Sequence, residues 1–570
     1  RGGRPQGGLA PLVAAGRVGR CLGVAVGAQL RSMLLLCAGI LLGAAPAPDV
    51  SSHGLVQSDH PLGTAAGNAV LQSGGNAVDA AIATALAVGV VQPAGSGLGG
   101  GGFAVIVTPG GEATVLDFRE IAPAAAHRDM YVEAGRTDAS RIGGLAVGVP
   151  GEGLGLAALH ERWGTQALSD LAARAVTLAE EGFEVHPHLH KALKRAGDDG
   201  LALSEGLFGA EAVPRRGQTV RRERLARTLR VFGEKGGDAF RRGALAKDIA
   251  GAARAAGGIL TVADLRSYEV KERPPVEAQY RGWRVISMPP PSSGGAVLGQ
   301  VLGVLEKSDI ASMGHNSAAT IHRVAEALKH GFADRARYMG DPERVEVPLE
   351  SLLSAERIQA IHDDFDSSRT HAPEHYGTAV HAGTDGGTQH ISVLDKDGLA
   401  VSLTTTINTS FASRVVAPKS GILLNNEMDD FVARPGVPNH YGLVGSEANA
   451  VAPGARPLSS MSPTVLISPN GEERIVVGAS GGPFIISSTL AVILNIIDFE
   501  MDPAEAVSVP RMHHQWAPDL LFVDTHTSPD TIAALEAKGH QVKLMDFFSS
   551  VQVVHGKGDE THGAADPRKR

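Results

Sequence analysis

The chain has 570 residues, of which 43% are hydrophobic and 20% are charged, and its formal net charge is −9. This composition is typical of a globular protein with a large core. The negative balance argues against nucleic acid as the main partner, because phosphate binding requires clustered Lys and Arg. The basic stretch from Pro214 to Arg224 and the terminal "PRKR" are local, and we interpret both as solvated surface.

Residues 1–47 are interpreted as an upstream segment, residues 1–32, followed by an export signal that opens at Met33. Arg31 is followed by an apolar stretch from Met33 and then by small residues. This pattern is typical of a signal peptide and is too short for a stable membrane span, so we expect a periplasmic or secreted protein. A retained membrane anchor is the alternative. Cys21 and Cys37 are the only cysteines, so a mature chain starting at residue 48 has neither a disulfide nor a thiol nucleophile.

The next segment combines a helix pattern with a glycine-rich stretch. Residues 68–93 are Ala-rich and predict a helix that ends at Pro93, and Gly95 to Gly100 then form a GxGxxG pattern. A dinucleotide-binding loop follows a strand and opens a helix. Here the helix comes first and the strands "FAVIV" and "EATVLDF" follow. A nucleotide-binding oxidoreductase is therefore disfavoured, and we interpret the glycines as a turn with close backbone approach.

The remaining pattern changes from helices to strands near residue 386. Residues 150–380 are mainly helical, with Leu328 and Phe332 at helical spacing. After residue 386, "HISVLD" and "LAVSLTTT" flank a Lys-Asp-Gly turn and predict a hairpin. "SGILLNN" and "PTVLISPNGEERIVVGAS" predict further strands, and "PFIISSTLAVILNIIDF" predicts a helix. Hairpin sheets with helices outside them favour an α+β fold, arranged as an αββα four-layer sandwich.

No motif predicts a metal site. His513 and His514 are adjacent in "RMHHQW", where two side chains do not easily face one ion, and no HExxH pattern occurs. We therefore expect no metal and no other cofactor.

Thr388 follows two glycines at the start of the predicted hairpin. If the chain were cut between Gly387 and Thr388, the new α-amine would have a pKa of about 7.7–8.0, which suits a base at neutral pH. One residue would then supply both the nucleophile and its base. From the residues alone, an ordinary turn before a strand remains the alternative.

Several motifs occur together in a family order. The Thr388 hairpin is accompanied by "LDFREIAP", "SGILLNNEMDDF", "PGVPNHYGLVGSEANAVAPGARPLSSMSPT" and "GASGGPFI". Together they resemble the gamma-glutamyltranspeptidase family, the self-cleaving N-terminal-nucleophile hydrolases of glutathione metabolism. The resemblance implies the αββα fold of those hydrolases. It also implies cleavage into a large subunit, residues 48–387, and a small subunit, residues 388–570, which form one intertwined body.

The resemblance implies roles for charged and polar residues that recognise the substrate. Arg119 corresponds to the arginine that holds the α-carboxylate of the glutamyl group, with a structural ion pair as the alternative. Glu427 and Asp430 correspond to the acidic residues that hold the α-ammonium. Ser459 and Ser460 correspond to the pair that hydrogen bonds the α-carboxylate.

Further positions match the catalytic machinery and its cover. Thr406 corresponds to the second threonine, which orients the nucleophile's hydroxyl, and Asn408 to a residue that reaches the substrate. The N–H groups of Gly481 and Gly482 would face the developing oxyanion. Tyr441 corresponds to the lid loop of bacterial members.

The sequence departs from the common family pattern in places. Gln389 stands directly after Thr388, where many members have another threonine. Glu427 replaces a glutamine of some members, and Pro483 follows the glycine pair. These differences concern substrate preference and processing rate more than the class of reaction.

The resemblance thus implies a gamma-glutamyltransferase and glutathione hydrolase. Its donors would be glutathione and other γ-glutamyl compounds, and its acceptors water, amino acids or dipeptides. An amidase similar to cephalosporin acylase, which would use Thr388 with another acyl group, is the same-fold alternative. A catalytically inactive binding protein is disfavoured, because no matched catalytic position is lost.

Overall fold

The computed structural model of the protein describes residues 47–377, 387–432, 446–546 and 549–569. The predicted signal segment up to residue 46 and the predicted lid residue Tyr441 lie outside these ranges. In the described ranges, no helix has both the length and the apolar character needed to cross a membrane.

Eighteen strands are described, numbered β1 to β18 in chain order. They are Asp49–Ser51, Gly54–Ser58, Gly101–Val107, Ala113–Asp117, Phe183–Glu184, Thr219–Val220, Lys271–Arg273, Val276–Tyr280, Trp283–Ser287, Gly387–Asp395, Ala400–Asn408, Thr464–Ile467, Arg474–Ser480, Met512–His513, Leu521–Asp524, Val542–Met545, Ser550–Lys557 and Glu560–Ala565.

The α-helices of the described ranges are numbered α1 to α20. They are Pro61–Gln72, Ala77–Val91, Met130–Glu133, Glu152–Trp163, Leu168–Glu181, Pro187–Arg195, Asp199–Phe208, Glu223–Lys235, Asp238–Arg241, Gly243–Ala255, Val262–Ser267, Gly294–Glu306, Ile310–Met313, Ala318–Tyr338, Leu349–Leu352, Ala355–Asp363, Pro373–Tyr376, Phe484–Ile497, Pro503–Ser508 and Pro529–Ala537. Short 3-10 helices cover Gly144–Ala146, Glu427–Asp430, Glu447–Asn449 and Pro567–Lys569.

Two large sheets form the centre of the fold. One has the order β2-β10-β11-β3-β4-β7, and the other has the order β1-β18-β17-β13-β12-β9-β8. Strands β10 and β11 of the first sheet pack on β13 and β17 of the second. Helix α2 packs on the outer face of the first sheet, and α12 and α18 pack on the second. This arrangement confirms the predicted α+β class and the αββα layers.

The layers follow from the alternation of apolar side chains along the strands. In β3, Phe103 and Val105 belong to the core between the two sheets, whereas Ala104 and Ile106 belong to the core under α2. Both faces of this strand are therefore buried, which explains why its sequence is apolar throughout.

Two sequence predictions need correction. Residues 68–93 do not form one helix, because α1 and α2 are separated at Gly74, where φ is +88°. The predicted strand "SGILLNN" is not a strand either. It contributes only an isolated bridge from Leu423 to Val416, and its apolar residues are buried without a continuous ladder.

The glycine-rich stretch lies between α2 and β3, in the order expected from the sequence. A Cβ on Gly100 would lie 1.9 Å from the backbone oxygen of Thr406, and one on Gly99 would lie 2.0 Å from that of Leu423. These glycines therefore allow close backbone approach beside the strand that carries Thr406, as the sequence predicted.

Candidate active site

Thr388 lies at the start of the central hairpin, where the ladder is irregular. Gly387 is opposite Asn408 and Thr388 is opposite Thr406, and the register shifts between Gly387 and Thr388. A Cβ on Gly387 would lie 2.6 Å from the backbone oxygen of Thr409. The Gly387–Thr388 bond, at which the sequence predicts cleavage, thus lies in a bulged and crowded backbone. A side chain at position 387 would not fit there.

A hydroxyl network joins this bond to the neighbouring strand. The Thr406 hydroxyl donates to the Gly387 carbonyl at 2.8 Å, and its oxygen accepts from the Asn408 backbone N–H at 2.8 Å. The Thr388 Oγ1 lies 3.1 Å from Thr406 Oγ1. Because the single proton of the Thr406 hydroxyl is donated to the Gly387 carbonyl, the Thr388 hydroxyl is the donor in this contact. Thr406 therefore polarises the carbonyl and positions the hydroxyl beside it.

Asn408 follows Thr406 in a strained conformation. Its φ is +79°, a region that asparagine tolerates better than most residues. Its side-chain amide donates to the Asn426 carbonyl at 3.0 Å, which ties the end of β11 to the loop before Glu427. The strain is stored where the strand turns into the cleft.

Arg119, which follows β4, is the centre of a buried charge cluster. It contacts Glu427 through Nη1 and Asp430 through Nη2, the latter at 2.5 Å, and its Nε donates to the Pro457 carbonyl at 3.2 Å. Burial lowers the pKa of Arg119, but Glu427 and Asp430 more than offset this and raise it. The arginine thus forms the ion pair that the sequence left as an alternative, and its partners are the two residues matched to ammonium binding.

Glu120, next to Arg119, is a second buried acid that the sequence reasoning did not select. Burial raises the pKa of Glu120 to about 8, and its carboxyl interacts with that of Glu427. Two buried carboxyls in contact share a proton. Burial raises the pKa of Glu427 as well, so this pair of carboxyls holds a proton at neutral pH.

Arg335 was also missed by the sequence reasoning. It extends from α14 into the cleft, and its Nε donates to Ser293 Oγ at 3.0 Å. Burial lowers the pKa of Arg335 to about 10, partly offset by Asp430, so it remains cationic at neutral pH. Its place on the same helix face as the buried Leu328 and Phe332 was the available signal.

The serine pair lies on an extended segment before β12. The Ser459 Oγ accepts the Met461 backbone N–H at 3.0 Å, and the Ser459 backbone is held by Pro291 and Ser293. The buried Ser460 hydroxyl has no hydrogen-bond partner among the described residues. A buried polar atom without a partner at the wall of a cleft indicates a ligand or water there.

The glycine pair connects β13 to α18. Gly481 and Gly482 have φ values of +125° and +60°, which favour glycine. Helix α18 begins two residues later at Phe484. The turn therefore lies at the positive end of a 14-residue helix, an environment that stabilises negative charge.

One narrow cleft brings these residues together. It is lined by Arg119, Arg335, Thr388, Thr406, Asn408, Glu427, Asp430, Leu458, Ser459, Ser460, Met461, Gly482, Pro483 and Ile485. Of the predicted site residues that the structure describes, only Gly387 and Gly481 do not line the cleft, and each is bonded to a residue that does.

A separate histidine cluster has groups that could face an ion. His322, Glu326 and His540 are buried together within the described ranges. The two ring nitrogens lie 2.8 Å apart and share a proton, and Lys329 lies 3.4 Å from the Glu326 carboxylate. The ammonium already neutralises this carboxylate, so these residues form a structural polar network.

Comparisons with known proteins place this geometry in context. The family model for gamma-glutamyltranspeptidase matches residues 63–570. The glutathione hydrolase proenzyme of Escherichia coli strain K12 is 42% identical over 530 residues, which cover 91% of each chain. That of Pseudomonas sp. strain A14 is 41% identical and covers 87% of this chain and 88% of its own.

Solved structures agree with the fold. The cephalosporin acylase of Bacillus halodurans superposes with a TM-score of 0.80 at 28% identity, covering 93% of this chain and 96% of its own. The gamma-glutamyltranspeptidase of Helicobacter pylori is 38% identical with a TM-score of 0.55, covering 57% of this chain and 96% of the solved one. The sandwich is thus of the N-terminal-nucleophile hydrolase type.

Proposed function

The chain belongs to the gamma-glutamyltranspeptidase family, and from this we propose that it is a self-processing gamma-glutamyltransferase and glutathione hydrolase. The observation that carries the proposal is the cleft itself. A threonine hydroxyl, Thr388, lies at one side, and a set of opposite charges around Arg119 lies at the other. A nucleophile that faces such a charge cluster suits the transfer of an acyl group that itself carries an α-amino acid head group.

Self-cleavage is the first step of the proposal. The Thr388 hydroxyl attacks the Gly387 carbonyl carbon, and the Thr406 hydroxyl, 2.8 Å from the carbonyl oxygen, stabilises the charge that develops there. Collapse breaks the Gly387–Thr388 C–N bond and leaves an ester on the Thr388 oxygen, and the nitrogen takes up the proton lost by the hydroxyl and leaves as a primary amine. Hydrolysis of this ester separates a large subunit ending at Gly387 from a small subunit starting at Thr388.

The freed amine then serves as the base in catalysis. It accepts the proton of the Thr388 hydroxyl as the oxygen attacks the γ-carbonyl of the donor, and it returns the proton to the leaving amine. The N–H groups of Gly481 and Gly482, at the positive end of α18, stabilise the oxyanion. A γ-glutamyl ester remains on Thr388, and water or an acceptor amine releases the glutamyl group.

The charge cluster favours a zwitterionic head group. A free α-amino acid group carries one carboxylate and one ammonium, so it enters the cluster without changing the net charge. The carboxylate meets Arg119 and the unpartnered Ser460 hydroxyl, and the ammonium meets Glu427 and Asp430. Arg119 and its two acidic partners each exchange an internal ion pair for one with the substrate, so no buried charge is left unpaired, which would be costly.

The donors proposed are glutathione and related γ-glutamyl compounds, and the acceptors are water, amino acids and dipeptides. We also propose that residues 1–47 include an export signal and that the enzyme works in the periplasm or outside the cell.

The test uses the purified full chain. We expect two fragments on a denaturing gel, with Thr388 as the N-terminal residue of the smaller one. We also expect release of p-nitroaniline from L-γ-glutamyl-p-nitroanilide, faster with glycylglycine present. An uncut chain that releases no p-nitroaniline would refute the proposal.

A cephalosporin-acylase-like amidase is the second candidate, favoured by the TM-score of 0.80 to such an enzyme. The two functions differ in the acyl group, because a glutaryl group lacks the α-ammonium that Asp430 would hold. Glutaryl-p-nitroanilide therefore separates them. Faster turnover of the glutaryl than of the γ-glutamyl compound would favour the amidase.

A further inference from the structure

Lys569 is a buried lysine whose ammonium reaches the nucleophile's own backbone. It lies on the short 3-10 helix Pro567–Lys569 and is 6% exposed. Its Nζ donates to the Thr388 carbonyl at 3.1 Å and to Ser480 Oγ at 2.5 Å. The mechanism above makes no use of this residue.

The ammonium is held by a buried carboxylate. Asp59 Oδ1 lies 3.5 Å from Lys569 Nζ and accepts from Gln552 at 2.9 Å. Its other oxygen accepts the His390 backbone N–H at 2.8 Å. Asp59 therefore holds β10 at a second point and fixes the ammonium beside it.

The three contacts of Lys569 connect the two halves of the reaction site. Thr388 carries the hydroxyl and the future α-amine, and Ser480 directly precedes the Gly481–Gly482 turn. An ammonium has three donors, and here they point to Thr388, Ser480 and Asp59. The Lys569 side chain therefore helps to set the distance between Thr388 and the Gly481–Gly482 turn, called the oxyanion turn below.

We infer that Lys569 is a positioning residue, which holds Thr388 in register with the oxyanion turn once the chain has been cut. This inference rests on the proposed function. A new chain end loses its covalent restraint and tends to fray, whereas acyl transfer needs the nucleophile held within a fraction of an ångström. The Thr388 carbonyl lies on the retained side of the cut, so Lys569 still holds it afterwards.

The experiment compares two lysines that are both buried and ion-paired. Lys569→Met removes the ammonium that contacts Thr388, Ser480 and Asp59, a set of contacts that we call the clamp. Lys329→Met is the matched control, because Lys329 is 0% exposed and pairs with Glu326 and Asp519 but has no contact with Thr388. Rates are measured with L-γ-glutamyl-p-nitroanilide and normalised to the amount of cut protein. The wild-type chain is assayed first, and its failure to cut or react would count against the proposed function rather than against the clamp.

For Lys569→Met we expect kcat to fall roughly 10- to 100-fold, the range for losing a hydrogen bond to a charged group. The KM for the donor should hardly change, because the Arg119 cluster is intact. Lys569→Arg, which keeps the charge and the donors, should recover part of the loss. Lys329→Met should lower the melting temperature but leave kcat per cut molecule unchanged.

An unchanged kcat for cut Lys569→Met would overturn the inference and reduce the lysine to a structural tie. If that variant does not accumulate as folded protein, Ser480→Ala decides, since it removes one contact and keeps the ion pair. A fall in kcat of about 2- to 10-fold at constant KM would support the clamp. A normal kcat would overturn it.

Discussion

Replacing Arg119 by lysine perturbs the centre of the charge cluster with little change in volume. The guanidinium contacts Glu427, Asp430 and the Pro457 carbonyl together, a fork that a single ammonium does not reproduce. Losing one or two charge-assisted hydrogen bonds costs about 1.5–3 kcal/mol each. Since about 1.4 kcal/mol is a factor of ten, kcat/KM for γ-glutamyl donors should fall roughly ten-fold for one bond at the lower value and on the order of 10,000-fold for two at the upper value.

The assay separates recognition from folding by using two donors. L-γ-glutamyl-p-nitroanilide carries both the α-carboxylate and the α-ammonium, whereas 4-aminobutyryl-p-nitroanilide keeps the ammonium and lacks only the α-carboxylate. The wild-type enzyme should strongly prefer the first. In Arg119→Lys this preference should shrink, because the loss falls on the donor whose head group the cluster binds.

The matched control is Arg273→Lys. Arg273 also joins two carboxylates, Asp117 at 2.7 Å and Glu343 at 3.1 Å, but it does not line the cleft. It should retain the donor preference of the wild type. Equal losses for both donors in Arg119→Lys, or an unchanged kcat/KM, would refute the assignment and leave Arg119 with a structural role alone.

Three other outcomes are expected. Thr388→Ala should give a single uncut and inactive chain, because it removes the hydroxyl used in both cleavage and catalysis; two fragments of normal size on a gel would contradict the mechanism. Tyr441→Ala should leave self-cleavage intact but change the ratio of hydrolysis to transfer onto glycylglycine, measured as two product streams at one donor concentration; an unaltered ratio would remove its gating role. Glu120→Gln should stabilise the protein relative to wild type increasingly as the pH rises from about 5 to 8. The folded pKa of Glu120, about 8, lies above its ordinary 4.5, so the native state binds the extra proton and loses stability through this window. Melting temperatures at several pH values measure this, and parallel curves would contradict the raised pKa of Glu120.

Local signals predicted the hairpin and the sandwich correctly. The alternation and the Lys-Asp-Gly turn fix β10 and β11 without help from distant residues. Two predictions were wrong, those for residues 68–93 and for "SGILLNN". An apolar composition indicates that a segment is buried, but it does not indicate whether the segment is a helix, a strand or irregular. Gly74 breaks the first into two helices, and the second is buried as an irregular segment.

The site was predictable where family motifs carried it and not where tertiary contacts did. The residues matched by motif meet in one cleft although Arg119 and Ser460 are more than three hundred positions apart in the chain. Glu120, Arg335 and Lys569 were missed, since a charged residue in sequence is usually solvated. Their burial arises from packing between distant elements, for which a single sequence gives only weak helical or strand periodicity.

The strand order has a consequence for how such a molecule is made. In the first sheet, β10 and β11 are inserted between β2 and β3, and in the second sheet four strands from after residue 387 lie between β1 and β9. A cut at Gly387–Thr388 would therefore leave two polypeptides woven through both sheets, each with unpaired edges if taken alone. Refolding of the uncut chain would be unimolecular, whereas recovery from separated pieces would depend on concentration and compete with aggregation. The Gly387–Thr388 peptide bond would then be needed while the sheets assemble and would be dispensable once the strands of the two fragments are paired.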